Sequence, residues 1–447
     1  MAKHDIFIGI DFGTSFSKVC YNLDDTIYVY KVNNDPFIPT EVFYSVDKKE
    51  IYLRKPSSEI NICKARYFKY SMAFDGLSME EISKKLPLGY TYKKLATMFS
   101  IFYLSFIIRD VKNEINNKLV GKIDITSINW EINMSAPIND YRGTLYQLYQ
   151  NVLITANILS EKTNSKDIMN INEIDKIYTE INNHKSNENI NYDTLNIYPE
   201  LFIEAVFFTN NPGIDIGSYI IMDIGGGTVD VGILWKREWE GRILFDLVVV
   251  NILKYGLEVL CNKLITGKDP DEKTILKILM EWAENKSLDK GKYINLEQEK
   301  EFSDNFLSNI RRMLEIEATR PVVGLNDINY KRIYYSGGGF NFQWYKQKIS
   351  LINSNIIEDK YFFSKLPVNY IDKSTFHRII IAMELAQPEE TIKKNMGSTV
   401  IITDQNIIPN NIENGTYTTN IIEKKPKQNN YDTLQDRQRD MYGDDPI

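Results

Sequence analysis

Two segments of the chain share one pattern, in which an apolar strand leads through an aspartate and a glycine-rich turn into a second strand. The first reads Ile8-Gly-Ile-Asp-Phe-Gly-Thr-Ser-Phe-Ser-Lys-Val19. The second reads Ser218-Tyr-Ile-Ile-Met-Asp-Ile-Gly-Gly-Gly-Thr-Val-Asp-Val-Gly-Ile-Leu234. A carboxylate at the end of a buried strand is costly, so its presence at the same place in both segments indicates a function. The repetition predicts an internal duplication.

Each turn has the composition of an anion-binding loop. Glycine has no Cβ, so successive backbone N–H groups can point into one concavity and reach the oxygens of a phosphate group. Nearby hydroxyl groups would supply further hydrogen-bond donors. The candidate phosphate-binding residues are Gly13, Thr14 and Ser15 in the first turn and Gly225, Gly226, Gly227 and Thr228 in the second.

Asp11 and Asp223 stand immediately before these turns. They cannot contact phosphate directly, because like charges repel, but they can accept hydrogen bonds from water molecules on a magnesium ion. Two carboxylates that face each other imply a cation between them. We therefore expect Asp11 and Asp223 to hold Mg²⁺ through water, with Asp230 as a further candidate.

A third glycine turn, Ser336-Gly-Gly-Gly339, follows a predicted strand at Arg332–Tyr335. Alone, it is compatible with an ordinary loop, just as the first turn alone is compatible with a simple hairpin. Bare backbone at Gly337, Gly338 and Gly339 would also let a nucleotide base and ribose lie close to the chain. The three turns in this order are the strongest functional signal in the sequence.

The composition excludes several classes of protein. The 447 residues carry a net charge of −7, which argues against nucleic-acid binding through a general basic field. Cys20, Cys63 and Cys261 are scattered and favour a reducing, cytoplasmic setting without a disulfide framework. The apolar run at Leu95–Ile108 is too short to span a bilayer and predicts a buried helix, so we expect no membrane association.

Periodicity predicts a mixed α/β chain. Short strands are expected at Ile6–Ile10, Thr26–Lys31, Glu41–Tyr44 and Ile51–Leu53, and a longer strand at Ser127–Met134. Helices are expected over about 78–117, from Leu145 to Ala156, at Leu201–Phe208 and at Phe302–Ile316. Polar composition predicts a surface insertion from about Glu161 to Tyr198 and a disordered tail beyond about Thr403.

Over roughly residues 5 to 390 the sequence resembles the actin-like ATPase superfamily, and within it the ATPase domain of seventy-kilodalton heat-shock (DnaK-like) chaperones. Asp11-Phe-Gly-Thr-Ser is similar to the first phosphate motif of that family, Asp223-Ile-Gly-Gly-Gly-Thr-Val-Asp230 to its second, and Ser336-Gly-Gly-Gly339 to its adenosine motif. Asn133-Met-Ser-Ala-Pro-Ile-Asn-Asp140 and the closing segment Phe376–Ala386 also resemble the family, although Glu384 stands where a glycine is usual.

The resemblance implies a two-lobed fold with a duplicated ribonuclease-H-like mixed sheet and Mg-ATP in the cleft. Lobe I would comprise residues 1–216, with an inserted subdomain at about 35–125 and the polar insertion at about 161–198. Lobe II would comprise residues 217–402, with an inserted helical subdomain at about 256–320, and the tail would follow at 403–447. The helix that faces the adenine would lie within Pro270–Lys290.

The resemblance also suggests catalytic residues. Glu200 matches the acidic residue that positions water in the chaperones, although the surrounding sequence departs from the family pattern and leaves Glu204 as a rival. Lys69 is the best match for the catalytic lysine, and Lys64 is the second. Lys18 matches the phosphate-contacting lysine of the actin branch. Asp11 and Asp223 complete the predicted site.

We therefore expect an ATP hydrolase of low intrinsic turnover that serves as a nucleotide-dependent switch for a protein partner. Only about forty-five polar residues follow the predicted lobes, so no peptide-binding domain is expected. Three alternatives stay open at this point: a filament-forming actin-like protein, a metabolite kinase of the same superfamily, and a scaffold that binds nucleotide without cleaving it.

Overall fold

The structure is a computed structural model that describes residues 4–57, 61–74, 89–121, 124–137, 143–162, 167–184, 194–211, 213–264, 295–319, 332–339, 342–352, 367–370 and 372–394. The adenine-facing helix predicted within Pro270–Lys290 and the polar tail predicted beyond Thr403 lie outside these ranges. The predicted lobe boundaries stay predictions.

The described strands form three sheets. They are β1 (His4–Asp11), β2 (Phe16–Leu23), β3 (Thr26–Val29), β4 (Ile38–Pro39), β5 (Glu41–Ser45), β6 (Glu50–Tyr52), β7 (Ile62–Arg66), β8 (Ile128–Ala136), β9 (Ile168–Asn170), β10 (Leu195–Pro199), β11 (Gly217–Ile224), β12 (Val229–Trp239), β13 (Arg242–Leu253) and β14 (Ile333–Ser336).

The described α-helices lie between these strands and at the end of the described chain. They are α1 (Phe68–Ala73), α2 (Tyr92–Leu119), α3 (Thr144–Lys162), α4 (Ile171–His184), α5 (Glu200–Thr209), α6 (Leu257–Leu264), α7 (Leu296–Thr319), α8 (Gln343–Ser350), α9 (Ile380–Leu385) and α10 (Glu389–Lys393). Short 3₁₀ helices occur at Ile125–Ser127 and Lys373–Arg378. The chain is thus mixed α/β, as the sequence predicts.

Two of the sheets repeat one topology. The first has the order β10-β8-β1-β2-β3, with β4 paired to β2, and the second has the order β13-β12-β11-β14. In the first, β1 is antiparallel to β2 and parallel to β8. In the second, β11 is antiparallel to β12 and parallel to β14. Both sheets therefore place a glycine turn at the same corner of a three-strand unit. A third sheet has the order β7-β5-β6-β9.

Helix α2 contributes many residues to the largest hydrophobic cluster among the described residues. Every residue from Leu95 to Ile108 is buried, which confirms the predicted core helix. Three serine and threonine residues in this stretch remain compatible with burial because their hydroxyls bond to carbonyls of the preceding turn, as Ser100 does to Ala96 at 2.9 Å. No helix in the described part of the chain is long and apolar enough to cross a membrane.

The segment from Glu161 to Tyr198, predicted as a polar surface insertion, differs from that prediction at its end. It contains β9, α4 and most of β10. β10 pairs in parallel with β8, so this segment supplies an edge strand of the first sheet, and Ile197 and Tyr198 are buried. Composition was misleading here because a surface helix such as α4 needs apolar residues on only one face.

Helix α9 packs directly on the backbone of β1, and this contact requires a glycine. A Cβ on Gly9 would lie 2.2 Å from the carbonyl oxygen of Ala382 and 2.4 Å from the backbone nitrogen of Ala386. Asn133 on the neighbouring strand β8 secures the end of the helix, since its side-chain amide donates to the carbonyl of Leu385 at 2.9 Å. The closing helix is thereby fixed to the strand that ends in Asp11.

We expect Gly9→Ala to lower the free energy of unfolding by about 2–3 kcal/mol, because the added methyl group meets rigid backbone on α9. Gly338→Ala is the matched control, since a Cβ at Gly338 meets nothing within 4 Å. That variant should remain within about 0.5 kcal/mol of the wild type. Chemical denaturation of both variants measures the difference, and equal stabilities would contradict the described packing of α9 on β1.

Candidate functional site

The first two glycine turns face each other. A Cβ on Gly226 would lie 2.4 Å from Oγ of Ser15, and a Cβ on Gly227 would lie 3.2 Å from Oγ1 of Thr14. The second turn is closed by a hydrogen bond of 2.9 Å from the backbone N–H of Gly225 to the carbonyl of Thr228. The duplicated corners of the two sheets therefore meet, and their predicted phosphate-binding residues come together.

The first turn is tight enough to exclude any residue but glycine at position 13. A Cβ on Gly13 would lie 2.1 Å from the carbonyl oxygen of Phe16. The same position would be 3.5 Å from Nζ of Lys18, which places this lysine beside the turn. The sequence assigns Lys18 to phosphate contact by resemblance, and its location next to the turn is consistent with that role.

Asp11 ends β1 and is buried, with a charged partner on the adjacent strand. Asp11 and Lys18 are cross-strand neighbours in the β1–β2 hairpin, and Nζ of Lys18 lies 2.7 Å from Oδ2 of Asp11. The hydroxyl of Ser135 donates to Oδ1 of the same carboxylate at 3.3 Å. The negative charge of Asp11 is thus balanced by a lysine from its own hairpin.

The second hairpin has a different pair at the corresponding place. Asp223 and Asp230 are cross-strand neighbours on β11 and β12, and both are buried. Like charges directly opposite each other in a sheet are destabilising. Oδ1 of Asp230 has no hydrogen-bond partner. One hairpin therefore pairs an aspartate with a lysine, whereas its duplicate pairs two aspartates.

Glu200 and Lys69 form a buried ion pair between two helices. Glu200 is the first residue of α5 and follows Pro199, while Lys69 lies in the first turn of α1. Nζ of Lys69 donates to Oε1 of Glu200, and the aromatic ring of Phe12 lies 5.8 Å from the same ammonium group. Of the three candidate lysines, Lys69 is the one that pairs with the predicted water-positioning residue.

Lys64 lies elsewhere. It is on β7, its side chain is about one-third exposed, and its Nζ lies 2.8 Å from the Glu41 carboxylate. It thus forms a surface ion pair within the third sheet. The geometry favours Lys69 and Lys18 over Lys64 as residues of the site.

Glu204 lies one helical turn after Glu200 but has a different environment. The hydroxyl of Ser336 donates to its Oε1, and its Oε2 is buried without a hydrogen-bond partner. Ser336 ends β14, immediately before the third glycine turn. Glu204 therefore connects α5 to the third turn, whereas Glu200 pairs with Lys69 on α1.

The third turn packs against the second. Gly337 has a φ of +84°, and a Cβ there would lie 2.1 Å from Oδ1 of Asp223. A Cβ on Gly339 would lie 2.3 Å from Cγ2 of Ile224, and the N–H of Gly339 donates to the Ile224 carbonyl at 2.9 Å. Gly338 is open. Two of the three glycines thus have a packing reason in addition to the predicted adenosine contact.

Burial and mutual repulsion raise the pKa of several carboxyl groups here. Burial is the largest cause for Asp223, whose pKa is raised to about 7, with Glu200 and Asp11 adding to the shift and the two lysines opposing it. The pKa values of Glu204 and Asp230 are raised well above their usual ranges, first by burial and then by neighbouring carboxylates. Burial also raises the pKa of Glu200, although Lys69 counteracts it.

Lys69 keeps its charge in this environment. Burial by itself lowers the pKa of its ammonium group, but the carboxylates of Glu200 and Asp11 more than offset that effect and leave the pKa above its usual value. We call the buried residues Asp11, Glu200, Glu204, Asp223 and Asp230 the acidic cluster. Two lysines form ion pairs with members of this cluster, Lys18 with Asp11 and Lys69 with Glu200. The group has an excess of carboxylates.

The sequence patterns did not identify Ser135, Tyr67 or Glu258 as neighbours of the turns; Ser135 donates to Asp11, and Glu258 accepts from both Ser15 and Tyr67. The spacing between Asp11 and Lys18 equals that between Asp223 and Asp230, and this was the one available signal for the cross-strand pairs. The other contacts join residues far apart in the chain, so no local pattern marks them.

The fold and the site together define a mixed α/β protein in which duplicated glycine turns enclose a buried acidic cluster with two lysines. Comparison with protein-family profiles gives no match. A segment of 46 residues is 39% identical to movement protein Hsp70h of Beet yellows virus (isolate Ukraine). The segment is 10% of this chain and 8% of that viral protein, so the similarity is partial.

We expect the wild-type protein to lose stability as pH rises from about 4 to about 7, because the folded state keeps a proton on Asp223 that the unfolded chain releases. Asp223→Asn removes this titration, so the variant should lack a stability change of roughly 3–4 kcal/mol that Asp223 contributes across this interval. Asp304→Asn, at an exposed position, is the charge-matched control. Denaturant unfolding with a chelator at each pH measures the effect, and parallel curves for all three proteins would contradict it.

Proposed function

We propose that this protein binds ATP and hydrolyses it slowly, and that the nucleotide state controls a protein partner. In this proposal the fold is the two-lobed actin-like ATPase fold, resembling the DnaK-like branch. The repeated strand order in two sheets supports that fold. The partial similarity to a viral protein named Hsp70h supports the DnaK-like branch.

The observation that carries the proposal is the meeting of the two duplicated turns over the acidic cluster. Successive glycines and the hydroxyls of Thr14, Ser15 and Thr228 offer donors to phosphate oxygens. Lys18 and Lys69 add positive charge beside them. Donors and cations from both halves of the chain converge, as binding of a triphosphate requires.

The donor set also fits a magnesium ion held through water. Carboxylate oxygens are the ligands that Mg²⁺ prefers, and the acidic cluster has five carboxyl groups but only two lysines paired with them. Within the described ranges, no three carboxylate, histidine or cysteine side chains are arranged to hold a metal ion directly. Asp11, Asp223 and Asp230 would hold the ion through water. When bound, the ion would neutralise charge on the phosphates.

Glu200 and Lys69 would perform the chemistry. Glu200 accepts a hydrogen bond from the attacking water and orients it toward the γ-phosphoryl group, while Lys69 stabilises the charge that develops there. The Glu200–Lys69 ion pair supports this division of roles, because it keeps the lysine charged and fixes the carboxylate. Such catalysis is mainly positioning, so low intrinsic turnover is expected.

ATP binding and hydrolysis would act by changing the arrangement of the two halves of the chain. ATP bridging the facing turns would draw the sheets together, and loss of the γ-phosphate would remove part of that bridge. A protein partner that recognises one of the two arrangements would then be recruited or released. The partner contacts the surface of the lobes in this proposal and does not enter the acidic cluster.

Single-turnover hydrolysis of radiolabelled Mg-ATP, with nucleotide binding recorded in the same sample, tests the proposal. We expect binding followed by cleavage well below the ~10 per second of a median enzyme. Binding without cleavage would favour the nucleotide-binding scaffold instead. Absence of binding would contradict the assignment of the glycine turns.

Glu200→Gln should lower the single-turnover rate by about 100-fold or more, because the amide is a poorer acceptor for the attacking water. Glu204→Gln is the matched control on the same helix and should change the rate by less than about threefold, because Glu204 contacts Ser336 beside the third turn, whereas Lys69 pairs with Glu200. Nucleotide affinity, measured alongside, should be retained in both variants. The reverse order of effects would assign water positioning to Glu204.

A further inference from the structure

Glu258 connects three parts of the site. It lies in the first turn of α6, and its backbone N–H donates to the carbonyl of Gly226 in the second glycine turn at 2.8 Å. Its Oε1 accepts from the hydroxyl of Ser15 in the first turn at 3.1 Å. Its Oε2 accepts from the hydroxyl of Tyr67 at 3.0 Å. One residue thus contacts the second turn through its backbone, and the first turn and the residue that precedes α1 through its side chain.

The contact with Ser15 places two anions in competition for one donor. A serine hydroxyl has a single proton, and in the structure it is donated to the Glu258 carboxylate. A phosphate group in the first turn would need the same proton. The carboxylate would also repel the phosphate, because the two donors that Oε1 and Oε2 use are uncharged hydroxyls.

The contact with Tyr67 connects Glu258 to the helix that carries Lys69. Tyr67 is the N-cap of α1 and has a φ of +59°, in the left-handed region that an aromatic residue rarely adopts. Its hydroxyl bond to Glu258 helps to hold that conformation. Lys69 lies in the first turn of the helix that begins there, so release of Tyr67 would alter how α1 presents Lys69.

We propose that Glu258 is an internal competitor of the nucleotide phosphates, whose carboxylate must leave Ser15 and Tyr67 before phosphate binds at the first turn. This inference rests on the proposed ATP binding and adds a residue that limits it. In this proposal one residue, Glu258, couples the entry of phosphate to the second turn and to the helix that carries Lys69. Glu258 acts through these residues and is a positioning residue.

The test compares affinities of the wild type and Glu258→Gln for ATP, ADP and adenosine by titration calorimetry. Glu258→Gln keeps the shape of the side chain and removes its charge. We expect ATP and ADP to bind about tenfold more tightly to Glu258→Gln. In this variant Ser15 no longer gives up a hydrogen bond to a charged carboxylate when phosphate binds. Adenosine, which has no phosphate, should bind equally to both proteins.

Two further variants separate this role from general effects. Glu297→Gln removes the same charge from an exposed position on α7 and should leave all three affinities unchanged. Tyr67→Phe keeps the Glu258 charge but removes one of its two hydroxyl partners, so ATP should bind about threefold more tightly. Hydrogen exchange of the α1 amides should be faster in both Glu258→Gln and Tyr67→Phe than in the wild type.

The outcomes are distinguishable. If the wild type binds ATP and Glu258→Gln binds it equally or more weakly, the inference is overturned while the proposed function stands. An equal gain for adenosine would also overturn it, because the effect would then be unrelated to phosphate. If neither protein binds ATP, the proposed function and the inference both fail.

Discussion

The excess of buried carboxylates over lysines is the constraint on which the site depends. Removing an ionised group from water is costly unless an opposite charge or hydrogen bonds compensate for it. Lys18 compensates Asp11 and Lys69 compensates Glu200, but Asp223 and Asp230 have no lysine opposite them in their hairpin. Their raised pKa values express this imbalance. A chain retains such an arrangement at a stability cost, which is typical of functional sites.

The duplicated sheets explain how the imbalance arises. Each sheet carries a hairpin whose first strand ends in an aspartate and whose second strand presents its cross-strand neighbour. Because that neighbour is a lysine in one hairpin and an aspartate in the other, the two hairpins share one strand arrangement but differ in charge. In the proposed function, a triphosphate with its cation would use both kinds of surface, since phosphate oxygens favour the lysine side and the cation favours the aspartate side.

Much of this follows from the sequence. The turns, the aspartates before them, the buried helix at Leu95–Ile108 and the start of α5 at Glu200 are all encoded locally, in glycine placement and in hydrophobic periodicity. Polar composition failed at the end of the segment predicted as a surface insertion, where Leu195–Pro199 forms the edge strand β10 of the first sheet. Composition reports how much of a segment is polar, whereas a strand or a one-faced helix needs only a few apolar residues at the right positions.

The sequence by itself determined that two equivalent glycine turns exist and which carboxylates stand beside them. Only the tertiary structure decided that Lys69 pairs with Glu200, that Glu204 turns toward Ser336, and that Glu258 joins the two turns. The physical reason is separation along the chain: Lys69 and Glu200 are 131 positions apart, and Ser15 and Glu258 are 243 apart. Backbone preferences act over a few residues, so such pairs are fixed by how sheets and helices pack and not by any local pattern.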